Sequence, residues 1–154
     1  MNALIAISSM KNYTQPIIPI LLLLAALTSA GAHAQSLSPA QIKQIEEIAQ
    51  NIARQHNTNA AAMLDDMTVS TRAVAVARNV RFENVLKVKK SLPPAKVKEF
   101  SDETRREVVP KSCAVNAKNP AFDRGLNYTF VYTSTYGEKL AEFVVDKAVC
   151  SSYK

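Results

Sequence analysis

Two cysteines (Cys113 and Cys150), a lone histidine in the polar body of the chain (His56) and the carboxylate pairs Glu46-Glu47, Asp65-Asp66 and Asp102-Glu103 are the residues that could do chemistry. A thiolate nucleophile needs a base within reach to take its proton, and His56 stands in a segment distant from both cysteines. The carboxylates could furnish the acid and base of a glycan hydrolase, but only if two of them are held at a set separation. Adjacent acids on a helix usually face water. The sequence contains no Gly-x-Ser-x-Gly, no Gly-rich phosphate loop and no His-Glu-x-x-His. Two cysteines and the one histidine that lies beyond the apolar N-terminal run hardly supply a zinc shell. The expectation is therefore no catalytic residue, no metal and no cofactor.

The stretch PIIPILLLLAALTSAGAHAQ, Pro16 to Gln35, decides the compartment. Its apolar run closes on Ala32-His33-Ala34, the pattern of a cleaved secretory signal, and it is shorter than the roughly 20 apolar residues of a membrane span. Cleavage is expected between Ala34 and Gln35, making residues 1–34 a signal peptide and 35–154 one domain. Lys11 is the only basic residue before the run, so Met10 is an alternative start to Met1. With no cysteine just after the run, lipid attachment at a mature N-terminus is not expected. The predicted location is periplasmic or secreted, without a membrane span in the mature form.

Export then bounds the partners. Removing Lys11 lowers the chain's net charge of +6 by one, and the body stays basic. Nucleic acid is no natural partner for that charge outside the cytoplasm; an acidic envelope or secreted protein, or an anionic envelope polymer, is. An oxidising compartment favours a Cys113–Cys150 disulfide over free thiols, with a catalytic cysteine as the alternative. Only Gly125 and Gly137 remain after the signal, and tryptophan is absent. That composition suits helices with a few hairpins better than a many-turned sandwich.

Period and punctuation supply the elements. Ser38 is placed to cap a helix, Pro39 suits its first position and Gln41 completes a capping box. Ile42, Ile45, Ile48, Ala49 and Ile52 follow as one apolar stripe. Asn57 to Asn59 should stop this helix, leaving AAAMLDDM for a short second one. His56, near the helix end, reads as solvated or as a partner of the helix dipole. From Met67 the period becomes two: Val80, Phe82, Leu86 and Val88 oppose Arg81, Glu83, Lys87 and Lys89. This predicts a hairpin of Thr71–Ala77 with Val80–Lys89 around an Arg78-Asn79 turn, a single bent strand being the alternative. After Pro93-Pro94, the residues Val97, Phe100, Thr104 and Val108 line a helix that Pro110 should end or kink before Cys113. NPAFDRG reads as a loop or single turn. Leu126, Tyr128, Phe130 and Tyr132 then share a strand face, Thr135–Gly137 turns the chain, and Lys139–Asp146 returns, leaving Cys150 where it could reach Cys113. The expected fold is α+β: about four strands, mainly antiparallel, with two or three helices on one side and one disulfide.

Two surface features could bind a partner. Between Arg72 and Lys98 the only acid is Glu83, so Arg81, Lys87 and Lys89 could form a positive stripe on the solvent side of a strand. The plainer reading is a soluble outer face that discourages edge pairing. Tyr128, Tyr132 and Tyr136 cluster in the last hairpin, where core packing is the default and an exposed binding patch the alternative.

LDDMTVSTRAVAVARNVRFENVLKV and LNYTFVYTSTYGEKLAEFVVDKAVC together resemble small exported bacterial proteins of unassigned activity with a helix–hairpin–helix–hairpin pattern and a C-terminal cysteine pair. Met67, Thr71 and Arg72 match their lead-in to the first strand. Tyr128, Tyr132, Gly137 and Cys150 match the last hairpin, and Cys113 the helix-end cysteine. The departure is Arg78-Asn79, where such proteins often carry a Gly/Pro turn. The resemblance implies architecture and the disulfide. Three functions are expected, in this order: a non-catalytic envelope inhibitor or immunity protein, an accessory factor of an envelope assembly or secretion machine, and an envelope glycan enzyme.

Overall fold

The computed structural model describes residues 37–88 and 91–153. The expected signal segment with its Ala34–Gln35 cut, and Lys89, lie outside them. Helix α1, Pro39–Asn59, begins as its sequence dictates. The Ser38 side chain accepts from the Gln41 N–H, and the Gln41 side chain accepts from the Ser38 N–H. A 3₁₀ turn, Ala60–Met63, leads to β1 (Thr68–Val76) and β2 (Asn79–Leu86). Helix α2, Pro94–Asn116, and the single turn α3, Pro120–Asp123, lead on to β3 (Asn127–Ser134) and β4 (Lys139–Val145). A last turn, α4, covers Lys147–Ser151.

The strands lie in sequence order. β1–β2 and β3–β4 are antiparallel hairpins, while β2 and β3 run parallel because α2 and α3 carry the chain back between them. The fold is thus the α+β sheet that was expected, antiparallel except at its centre.

Three local expectations are corrected. The first hairpin turns at Ala77-Arg78, not Arg78-Asn79: Val76 pairs with Asn79, and the residue with positive φ is Ala77, at 50°. Asn79 is drawn into the strand because its side-chain amide donates to Asn127 and, at 2.9 Å, to Thr129 on β3. β2 ends at Leu86 rather than Lys89. Helix α2 runs through Pro110 to Asn116, so Cys113 lies within it. Proline removes one N–H, and the carbonyl it leaves without a partner, that of Arg106, belongs to an exposed stretch where water can serve it.

Strand alternation gives the sheet two unlike faces. Val80, Phe82, Tyr128, Phe130, Phe143 and Val145 share one face by register. Both long helices pack there, since His56 of α1 meets Phe82 and Phe100 of α2 meets Tyr132. Ile45, Ala49 and Ala53 from α1 and Thr104, Val108 and Val109 from α2 are buried against it. The opposite face carries Val74, Val76 and Val144, all exposed. Cys113 and Cys150 form the expected disulfide, Cα–Cα 5.3 Å, tying α2 to α4.

Candidate functional site

On the helix-covered face an aromatic row crosses the sheet. Phe82 stacks on Phe130 at 5.2 Å, Phe130 on Phe143 at 5.5 Å, and Tyr132 on Phe143 at 6.3 Å. Helix α1 lies against β1 and β2, and α2 against β4. Strands spaced about 4.8 Å put the outer two about 14 Å apart, whereas packed helices need only 8–10 Å between axes. Helices so drawn to the two edges would leave the middle strands less closely covered, as a shallow slot between them. Accordingly Phe82, Phe130 and Tyr132 on the sheet, and Ile48, Ile52 and Phe100 on the two helices, are each only half-buried. This apolar slot is the candidate site. It offers shape and aromatic surface. Beside Phe82 the Thr71 hydroxyl meets His56 Nε2 at 2.8 Å, but it gives its proton to Asn84 Oδ1, so the ring is its donor rather than its base.

The other face carries an ion-pair ladder. Arg72 of β1 pairs with Glu83, Glu83 with Arg81 at 3.1 Å, Arg81 with Glu142 of β4 at 2.9 Å, and Glu142 with Lys139 at 2.7 Å. Val131 of β3 stands between Glu83 and Glu142 in register and is only 5% exposed. Arg81 spans it to reach both carboxylates. Burial alone would raise the Glu83 carboxyl, but hydrogen bonds from Arg72 and Arg81 outweigh it and hold it below its ordinary value. Hydrogen bonds from Lys139 and then Arg81 do the same for Glu142. At the β4 edge the ladder meets a cleft of about 710 Å³ lined by Val97, Lys98, Asp102, Leu140 and Glu142, among others.

The residues singled out from sequence therefore fall in different places. Arg81 is engaged by two carboxylates rather than presented as part of a bare positive stripe; Lys87 is exposed, and Lys89 is outside the described residues. Tyr128 is buried, donates its hydroxyl to Asn116 Oδ1 at 2.9 Å and stacks on Phe122. Burial pushes both Tyr128 and Tyr132 up to about 12. Only Tyr136, of the three tyrosines, is exposed, at 59%. Asp65 caps the approach to β1, accepting from Met67 and Thr68, and Asp102 pairs with Lys98.

His56 departs from the solvated reading. It is half-buried at the edge of Phe82, and burial lowers its pKa. Sequence reasoning did not single out the slot. Alternation put Phe82 and Phe130 on strand faces, but only the parallel β2–β3 register aligns them.

No protein-family model matches the chain, and no curated protein matches it. Solved structures do share its fold. The type II secretion system pilotin AspS from Vibrio cholerae is 20% identical with a TM-score of 0.53, over 72% of this chain and 96% of that one. The type 2 secretion system pilotin EpsS from Vibrio vulnificus is 16% identical with a TM-score of 0.54, over 73% and 97%. A candidate secreted protein from Pseudomonas aeruginosa is 9% identical with a TM-score of 0.58, over 73% and 98%. At these identities what is shared is the fold: a mixed four-stranded sheet with its helices on one side.

Proposed function

We propose that this chain is a non-catalytic accessory factor of an envelope secretion machine, of the pilotin kind, and that it seats an apolar segment of a protein partner in the aromatic slot. The observation that carries the reading is the shared fold, matched over nearly the whole length of two type II secretion pilotins. The slot supports it. Half-buried aromatics between two helices can take the apolar side chains of a partner segment, and aromatic anchors dominate binding energy at such sites. Export through the Pro16–Gln35 leader belongs to the same reading. It moves the accessory factor ahead of the inhibitor or immunity protein, for which no specific feature of the fold speaks.

Deleting the gene should impair secretion without any toxin challenge. Complementation with an Ile52→Lys/Phe100→Lys variant, shown to be folded by circular dichroism, should leave the defect in place. Undiminished secretion in the deletion strain would overturn the proposal, and full rescue by the variant would remove the slot from it.

A further inference from the structure

β1 forms one outer edge of the sheet. An exposed edge strand of 9 residues is a template for another strand, and folds usually guard such edges with lysine, proline or bulges. Here the guards are thin. TVSTRAVAV contains neither lysine nor proline, and its bulge lies at the Thr68/Ser70 end. Its single charge, Arg72, is taken up by Glu83. Val74 and Val76, 39% and 63% exposed, add apolar surface beside it.

One side chain does occupy the edge. Asn57, near the end of α1, accepts the Ala73 N–H at 2.7 Å on its Oδ1 and donates from its Nδ2 to the Ala73 carbonyl at 2.9 Å. That is the donor–acceptor exchange a residue of an added antiparallel strand would make. Both backbone groups of Ala73 thus point away from β2, and by ladder alternation those of Thr71 and Ala75 do the same.

We infer that Asn57 closes this edge: its carboxamide stands in for a strand residue opposite Ala73 and keeps a second copy of this chain from pairing β1 to β1. The edge is self-complementary. A two-fold axis at Ala73 sets Thr71 opposite Ala75 and Arg72 opposite Val74 of the second copy, so no like charges face each other. Only an amide serves here, because a carboxylate would turn a lone pair toward the Ala73 carbonyl and lose the donor.

Sedimentation velocity on the purified protein tests this. Asn57→Ala should strengthen self-association about tenfold or more relative to the parent, the scale of one or two freed hydrogen-bonding groups finding partners. Asn57→Ala/Ala73→Pro, which lacks the Ala73 N–H, should return to the parent's behaviour. Unchanged association in Asn57→Ala, or a gain that survives Ala73→Pro, overturns the inference. Amide exchange on the parent protein needs no variant to fold: the Ala73 N–H should exchange about a hundredfold more slowly than the equally outward Ala75 N–H. Equal rates at the two positions would also overturn it.

Discussion

The His56 imidazole lies between the Phe82 ring, 5.0 Å away, and the Thr71 hydroxyl, 2.8 Å from its Nε2. Thr71 gives its own proton to Asn84 Oδ1, so it accepts from His56 and the ring carries N–H at Nε2. Burial makes a second proton costly and lowers the pKa below the ordinary 6.5. As pH falls below that value the unfolded chain takes up the proton first. Stability that is complete above pH 6.5 is then lost progressively as pH falls through the folded-state value. Denaturant titrations between pH 7.5 and 5 should show this loss, and His56→Gln, which keeps a donor for Thr71, should flatten it. A variant as pH-sensitive as the parent would place the titrating group elsewhere. The carboxylates held low by their partners, Glu83, Glu142, Asp65 and Asp102, act in the same direction but at more acidic pH. The sequence alone placed His56 at a helix end. It could not say that the end rests on a strand, because the α1–β1 packing is tertiary.

Each long helix packs against its own hairpin, α1 on β1–β2 and α2 on β4, and the disulfide fastens α2 to the turn that follows β4. The bridge spans 37 residues of sequence, and closing a loop of that size stabilises a small domain by about 3–4 kcal/mol through unfolded-state entropy. Cys113→Ala/Cys150→Ala should lose about that much in urea unfolding, a large share of a total of about 5–15 kcal/mol. A loss below about 1 kcal/mol would mean that the reduced unfolded chain already keeps these two segments near each other. Both hairpins, both long helices and the pairing of the cysteines were legible in sequence, because period, caps and proline pairs are local signals. The Ala77 turn was not, and the passage of α2 through Pro110 was only one of two readings, the other being an end there. The first depends on Asn79 bonding to a strand 48 residues away, and the second on which side of the helix meets water.

At the scale of the molecule, the decisive feature is the parallel β2–β3 ladder, which joins two hairpins into one sheet and gives it an aromatic face and an ionic face. Alternation made both faces visible in the sequence and set the charged residues Arg81, Glu83 and Lys87 on the solvent side, but it did not show that β2 and β3 would pair and carry both faces across one sheet. Arg81 bridges the hairpins on the open face, from Glu83 of β2 to Glu142 of β4. The pairs are solvent-facing, and such interactions contribute roughly 0.2–1 kcal/mol each. A double-mutant cycle of Arg81→Met with Glu142→Gln should therefore give a coupling of about 0.5 kcal/mol. That coupling should shrink as salt is raised from about 0.05 to 0.5 M, where the screening length falls well below 10 Å. If the slot is the working face, Arg81→Met and Lys87→Met should leave partner capture within about twofold of the parent, whereas Ile52→Lys/Phe100→Lys lowers it at least about tenfold. The opposite ranking, with capture tracking the open-face cations and falling with salt, would make the ladder the docking surface and the aromatic row a part of the core.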